Sequence, residues 1–357
     1  MTEEEVKKLE KEQTQKLLRV LDTEGARYVY RDGYVFNSTP VPGVGEFERR
    51  ITAEPITDAH MQVLRYIISL GYSEETHILA EAEATRASGA LKNVITDRKD
   101  IHNRVVRLRQ LGMITRRAYI DIEAAKKDGI GSRGEGEKSP DGTIACYHVT
   151  ERGMTYFKNF CESTAFIEGT LISKPPIEIL RRLSTNYIVQ ALREQMLASA
   201  PEAVVKTSHT RRLAHGERSV VYGSLETDSD VVFFEPVFFE RNMKVQTEEE
   251  QDAYLAERAR LLNEYFDDAA NADGKTRRKI LVLVGRDVAS LKKAFFTYGD
   301  LTNMMDAVYI TSELVVRYAT SDTGRQIGLP AMLLAYRNAK DDTRMSCRAV
   351  WPTFLRK

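Results

Sequence analysis

Five consecutive apolar residues, Ile280-Leu-Val-Leu-Val284, constrain this chain more than any other feature. A run this short and rich in branched side chains reads as a strand buried on both faces, and such a strand needs helices covering its sheet. The surrounding sequence supplies them. Asp230-Val-Val-Phe-Phe-Glu-Pro-Val-Phe-Phe-Glu240 is the most apolar strand material in the chain, and Ala203-Val-Val-Lys206, Ser219-Val-Val-Tyr222 and Ala307-Val-Tyr-Ile310 are strand-like. Helical periods run through Ile177 to Leu183, Asn186 to Ala198, about Thr247 to Phe266, and Val288 to Phe296. After the Pro175-Pro176 break the order is therefore α-β-β-β-α-β-α-β, a mixed sheet flanked by helices over residues 171–322.

Upstream the period differs. Between Pro55 and Phe160 the chain reads as short helices. Thr57-Asp58 caps a first helix bearing Met61, Leu64, Ile67 and Ile68, with Gly71 as its stop. A second spans about Glu74 to Ala84, and a third runs from Thr96 or Asp97 to Leu111, stopped by Gly112. Strands follow at Met113 to Ile120 and Ile144 to Val149, separated by the glycine-rich stretch Asp128 to Gly142, and a helix from Glu151 to Phe160 closes the segment. This is the element order of a winged helix-turn-helix over residues 55–170. The preceding residues 1–54 form an arm: a weak amphipathic helix from Glu3 to Leu21, then a hairpin signal, Arg27 to Phe36, turning at Asp32-Gly33. Residues 323–357 are a C-terminal tail.

Charge singles out the third helix. The 357 residues carry 52 basic and 52 acidic side chains, a balance that argues against a nucleic-acid binder. The distribution argues the other way. From Arg86 to Ala118 there are nine basic residues (Arg86, Lys92, Arg98, Lys99, Arg104, Arg107, Arg109, Arg116, Arg117), opposed only by Asp97 and Asp100. At 100° per residue Ile101, Val105, Leu108 and Gly112 share one side of the helix, and Lys99, Asn103, Arg107 and Gln110 the other. Charge for phosphates beside amide or guanidinium groups for base edges is what a major-groove helix requires. His102 lies at the helix edge, within reach of DNA, and Arg116-Arg117 stand near the start of the next strand.

Other signals are weaker. Gly131 to Ser139 imitates a phosphate-binding loop, but Glu137 stands where glycine must precede Lys138, so the stretch reads as a wing tip. His209 and His215 flank Arg211-Arg212 in a basic loop, His148 reads as partly buried, and Trp351 as core. Cys146, Cys161 and Cys347 are too far apart for a zinc ribbon or a disulfide framework, which suits a cytoplasmic protein. No apolar run reaches eighteen residues, and the charged start is unlike a secretory signal, so no membrane partner is expected.

The winged helix followed by this α/β order resembles the replication-relaxation family of plasmids and related mobile elements, over roughly residues 55–310. That family includes mobilisation relaxases whose catalytic domain is akin to restriction endonucleases. The resemblance implies an α+β fold, a winged helix-turn-helix followed by an α/β restriction-endonuclease-like domain with a mixed sheet, and double-stranded DNA as partner. It also implies a first acid, a strand, an acid-x-Lys or acid-x-Asp, and Mg²⁺ or Mn²⁺ between the acids. Asp230 takes the first place and Glu240 the second, but Asn242 occupies the third, with Lys244 two residues further on. Asp228 and Glu235 are rival acids. On a regular strand Asp230 and Glu240 lie roughly 33 Å apart, and Pro236 interrupts the ladder. The expectation is thus a nuclease-like scaffold that has lost its chemistry, needs no cofactor, and serves replication or mobilisation proteins. A metal-dependent nickase and a transcription regulator acting as a homodimer remain the alternatives.

Overall fold

A computed structural model describes residues 2–23, 26–28, 33–38, 42–87, 95, 97–121, 144–160, 176–199, 205–208, 221–237, 247–270, 276–352 and 354. Two compact units emerge, Tyr28–Leu183 and a second built from Met1–Arg27 with Ser184–Lys357. Both helices and a mixed sheet are present, an α+β architecture. Among the described residues no helix is long and apolar enough to cross a membrane.

The chain opens with helix α1 (Glu3–Leu21), capped by a reciprocal Thr2–Glu5 box. In the Tyr28–Leu183 unit follow β1 (Gly33–Ser38), α2 (Val44–Ala53), α3 (Asp58–Leu70), α4 (Glu75–Ala87), α5 (Arg98–Gln110), β2 (Ile114–Asp121), β3 (Ile144–Val149) and α6 (Glu151–Phe160). The caps fall where the sequence places them. Thr57 and His60 box the start of α3, and Asp97 accepts from the Asp100 N–H at 2.8 Å to begin α5. Gly112, at φ +69°, turns the chain from α5 into β2 in a conformation that a residue with Cβ resists. The strands form an antiparallel sheet in the order β1-β2-β3. Ser73 bridges the free side of β3, exchanging hydrogen bonds with Tyr147 at 3.1 and 2.8 Å. Val63, Leu64 and Ile67 of α3, Ile78 of α4, Ile101, Val105 and Leu108 of α5, and Phe157 of α6 share one buried core.

The hairpin expected at Arg27 to Phe36 is described only in part. Its second arm, β1, pairs along β2, with Val35 opposite Tyr119, and neither Arg27 nor Tyr28 is in a strand. Asp32 and most of the first arm lie outside the described residues, as does the wing stretch 128–142 with its false phosphate loop.

A single helix, α7 (Pro176–Ser199), replaces the two expected, because Ser184 and Thr185 are buried in its middle and no Gly or Pro interrupts it. Next are β4 (Lys206–Ser208), β5 (Gly223–Glu226), β6 (Asp230–Pro236), α8 (Glu248–Ala270), β7 (Arg278–Val284), α9 (Val288–Thr297), α10 (Gly299–Asn303), β8 (Ala307–Thr311), α11 (Glu313–Thr320), α12 (Asp322–Gln326), β9 (Leu333–Asn338) and β10 (Asp341–Arg348). The seven-stranded sheet runs β10-β9-β8-β7-β6-β5-β4, with β6, β7 and β8 parallel and the remaining pairs antiparallel. Ile280 to Val284 are buried at its centre, as the apolar run requires. Gly223 lets α7 approach β5 closely; a Cβ there would meet the Val189 and Thr185 side chains at 2.8 and 2.9 Å.

The ends of the chain are also corrected. The stretch expected as a tail supplies β9 and β10, held by backbone pairing onto β8. Helix α1 belongs to the same unit, burying Leu17 and Leu21. Of the strand expected at Ser219 to Tyr222, Ser219 and Val220 lie outside the described residues, while Val221 and Tyr222 precede β5, whose pairing with β6 starts at Gly223 opposite Phe234. Trp351 is 36% exposed rather than core, its indole N–H donating to the Gly328 carbonyl at 3.2 Å.

A candidate nucleic-acid interface

Helix α5 is fixed by its apolar stripe. Ile101 and Leu108 are fully buried, Val105 nearly so, and the opposite side is thereby turned outward. Lys99, His102, Asn103 and Gln110 are exposed. Val106, half-buried, lies among them, an apolar residue that the charge-based reading passed over.

Arg107 departs from expectation. Its side chain is only 12% exposed, and its Nη2 donates to the backbone carbonyls of Arg50 at 2.8 Å and Glu54 at 2.7 Å. The Glu54 carboxylate lies 3.4 Å from its Nε, and Arg50 answers by donating to the Gln110 carbonyl at 2.6 Å. Arg107 thus adds a charged donor to the Arg50 carbonyl, which also accepts from the Glu54 N–H at 3.1 Å, and caps the Glu54 carbonyl; it staples α2 to α5 instead of projecting outward. Arg104 is likewise engaged, 2.9 Å from Asp100 one turn back.

At the other end of α5, Glu75 in the first turn of α4 gathers three partners. His102 Nδ1 lies 2.8 Å from its carboxylate, the Tyr147 hydroxyl donates at 3.3 Å, and Arg98 Nε sits at 3.7 Å. A carboxylate only accepts, so Nδ1 carries the proton and Nε2 faces away from Glu75. Burial, then the Glu75 charge, pushes the Tyr147 hydroxyl up to about 12.

Successive strand residues point to opposite faces, so Arg116 and Arg117 cannot both reach the same ligand. Arg116 is half-buried and Arg117 only 9% exposed, beneath the sheet near Cys146 and His148. Arg117 is therefore corrected from surface contact to buried charge. Burial pushes the Cys146 thiol up to about 12, and burial together with Arg117 lowers the His148 ring to about 4.

The acids expected in the α/β unit separate. Asp230 begins β6 and Glu235 stands next to its end, five residues and roughly 16 Å apart on opposite faces. Asp230 is buried against Arg278 at 2.7 Å and accepts from the Ser229 hydroxyl at 2.6 Å. Glu235, fully buried, takes a two-pronged bond from Arg258 at 2.7 and 2.5 Å and a third from the Tyr298 hydroxyl at 3.0 Å. Burial and Glu235 hold that hydroxyl well above its usual range. Phe233 is core, packed 4.3 Å from the Phe266 ring centre. Glu240, Asn242, Lys244 and the His209–His215 loop lie outside the described residues, and among the described residues no group of three or more His, Cys, Asp or Glu is placed to hold a metal.

The structure thus brings Lys99, His102 and Asn103 together on one outward face, leaves Gln110 exposed at its far end, and removes Arg107 and Arg117 from it. No protein-family model matches this sequence, and no curated protein and no solved structure matches it.

Proposed function

We propose that the chain is a DNA-binding protein of a plasmid or mobile element, acting in its replication, mobilisation or regulation. On this reading the Tyr28–Leu183 unit is a winged helix that lays α5 in the major groove, with Ser73, β3 and β2 as its small sheet and β1 as an added outer strand. The observation that carries it is the outward face of α5, where Lys99, His102 and Asn103 stand exposed opposite a fully apolar stripe. The chain is neutral overall, yet the excess of basic residues is concentrated on and around this helix, the pattern expected of a phosphate-binding surface.

The α/β unit then acts as a restriction-endonuclease-like scaffold for partners. Asp230 already paired with Arg278, at the far end of β6 from Glu235, favours a non-catalytic role. Incubating the full chain with supercoiled plasmid, with and without Mn²⁺, tests both halves. Retardation without nicking is the expected result; Mn²⁺-dependent relaxation lost in Glu240→Ala would make the protein a nickase instead, and no retardation at low salt would remove DNA binding.

A further inference from the structure

Among the described residues, packing on the buried core does not account for the half-buried Val106. It lies about 135° around the helix from the centre of the Ile101–Val105–Leu108 stripe at 100° per residue, and it is neither part of the buried core nor among the partly buried apolar residues packed on it. A β-branched residue also gains little from an outward helix position. Three residues earlier, Asn103 is exposed on the same face, and its amide has no hydrogen-bond partner among the described residues. Side chains three apart on a helix are neighbours, with Cβ atoms about 5–6 Å apart. Of the rest of the face, His102 is held by Glu75 and Arg107 by α2, while Lys99 is exposed and Gln110, at the far end of the helix, is exposed with only its backbone carbonyl taken by Arg50.

A free carboxamide beside a small apolar knob matches one base pair in the major groove. The amide reaches adenine N6 and N7 as acceptor and donor, and the thymine methyl is the apolar group that the groove presents. We propose that α5 reads an A·T pair, with Asn103 bidentate on the adenine and Val106 against the thymine methyl of that pair or the next. Lys99, one turn before Asn103, then holds the adjoining phosphate. This assignment rests on the DNA-binding reading above and adds sequence selectivity to it.

The test uses the full chain. Binding sites are selected from duplexes with a randomised centre, and affinities are then measured by fluorescence anisotropy on the selected duplex with single-atom changes. Replacing the adenine by 7-deazaadenine removes the N7 acceptor and is expected to weaken binding about 5- to 100-fold. Replacing thymine by deoxyuridine removes one methyl and is expected to cost about 4-fold. The first penalty should vanish in Asn103→Ala and the second in Val106→Ala. Selected sites without an A·T preference, or penalties unchanged in the two variants, overturn the assignment while leaving DNA binding in place. Failure to retain any duplex at low salt overturns the DNA-binding reading, and this assignment with it.

Discussion

Arg107 and Arg50 hold each other's helices: Arg107 donates to the Arg50 carbonyl at 2.8 Å, and Arg50 donates to the carbonyl of Gln110, three residues beyond Arg107, at 2.6 Å. The terminal carbonyls of α2 and α5 thus receive charged donors from one another. A position chosen by charge as a DNA contact is a structural clasp.

Arg107→Ala should therefore act on stability. Losing charge-assisted bonds to two carbonyls, one part-buried and one exposed, costs about 1–3 kcal/mol, read as a lower urea midpoint with an unchanged slope. Duplex affinity, measured below the transition, should fall less than in Lys99→Ala. Unchanged stability with a tenfold loss of binding would return Arg107 to the interface.

The buried Glu235–Arg258 pair makes a second prediction. Arg258→Met leaves a fully buried carboxylate with only the Tyr298 hydroxyl, and should destabilise the α/β unit by about 3–5 kcal/mol. Adding Glu235→Gln removes the orphaned charge and should restore part of the loss. Denaturant melts of the single and double variants decide this; a double variant no better than Arg258→Met would mean that the charge is not the cause.

His148 predicts a pH dependence. Its ring, 8% exposed, is lowered to about 4 by burial, and its Nδ1–H donates to the Val149 carbonyl at 3.0 Å. Between pH 6.5 and 4 the unfolded chain takes up a proton that the folded chain refuses, so stability is lost as pH falls, by about 3 kcal/mol in total. Thermal melts across that range should show the decline, and His148→Asn should flatten it. A parallel decline in the variant would assign the effect to other groups.

The sequence made local structure legible wherever local chemistry decides it. Thr57, Asp97 and Gly112 mark helix ends through cap bonds or positive φ, and β3 and α6 run as the pattern indicated. What it left out depends on distant partners. That the last residues close the sheet as β9 and β10 follows from backbone pairing with β8, which has no periodic signature. The clasp of Arg107 was hidden for the same reason: a helical wheel gives direction, but α2 arrives from residues 44–53 and claims that direction. Arg117 illustrates the other side of this rule, since period-two alternation beside Arg116 already placed the two on opposite faces.

The most direct measurement compares wild type with Lys99→Ala and Lys99→Glu by fluorescence anisotropy on a labelled duplex, from about 50 to about 200 mM salt, where each phosphate contact adds roughly 0.9 to the log–log slope. The account predicts steep salt dependence in the wild type, a slope lower by about one in Lys99→Ala, and a larger loss in Lys99→Glu. Binding curves that coincide for all three proteins across the range would contradict it.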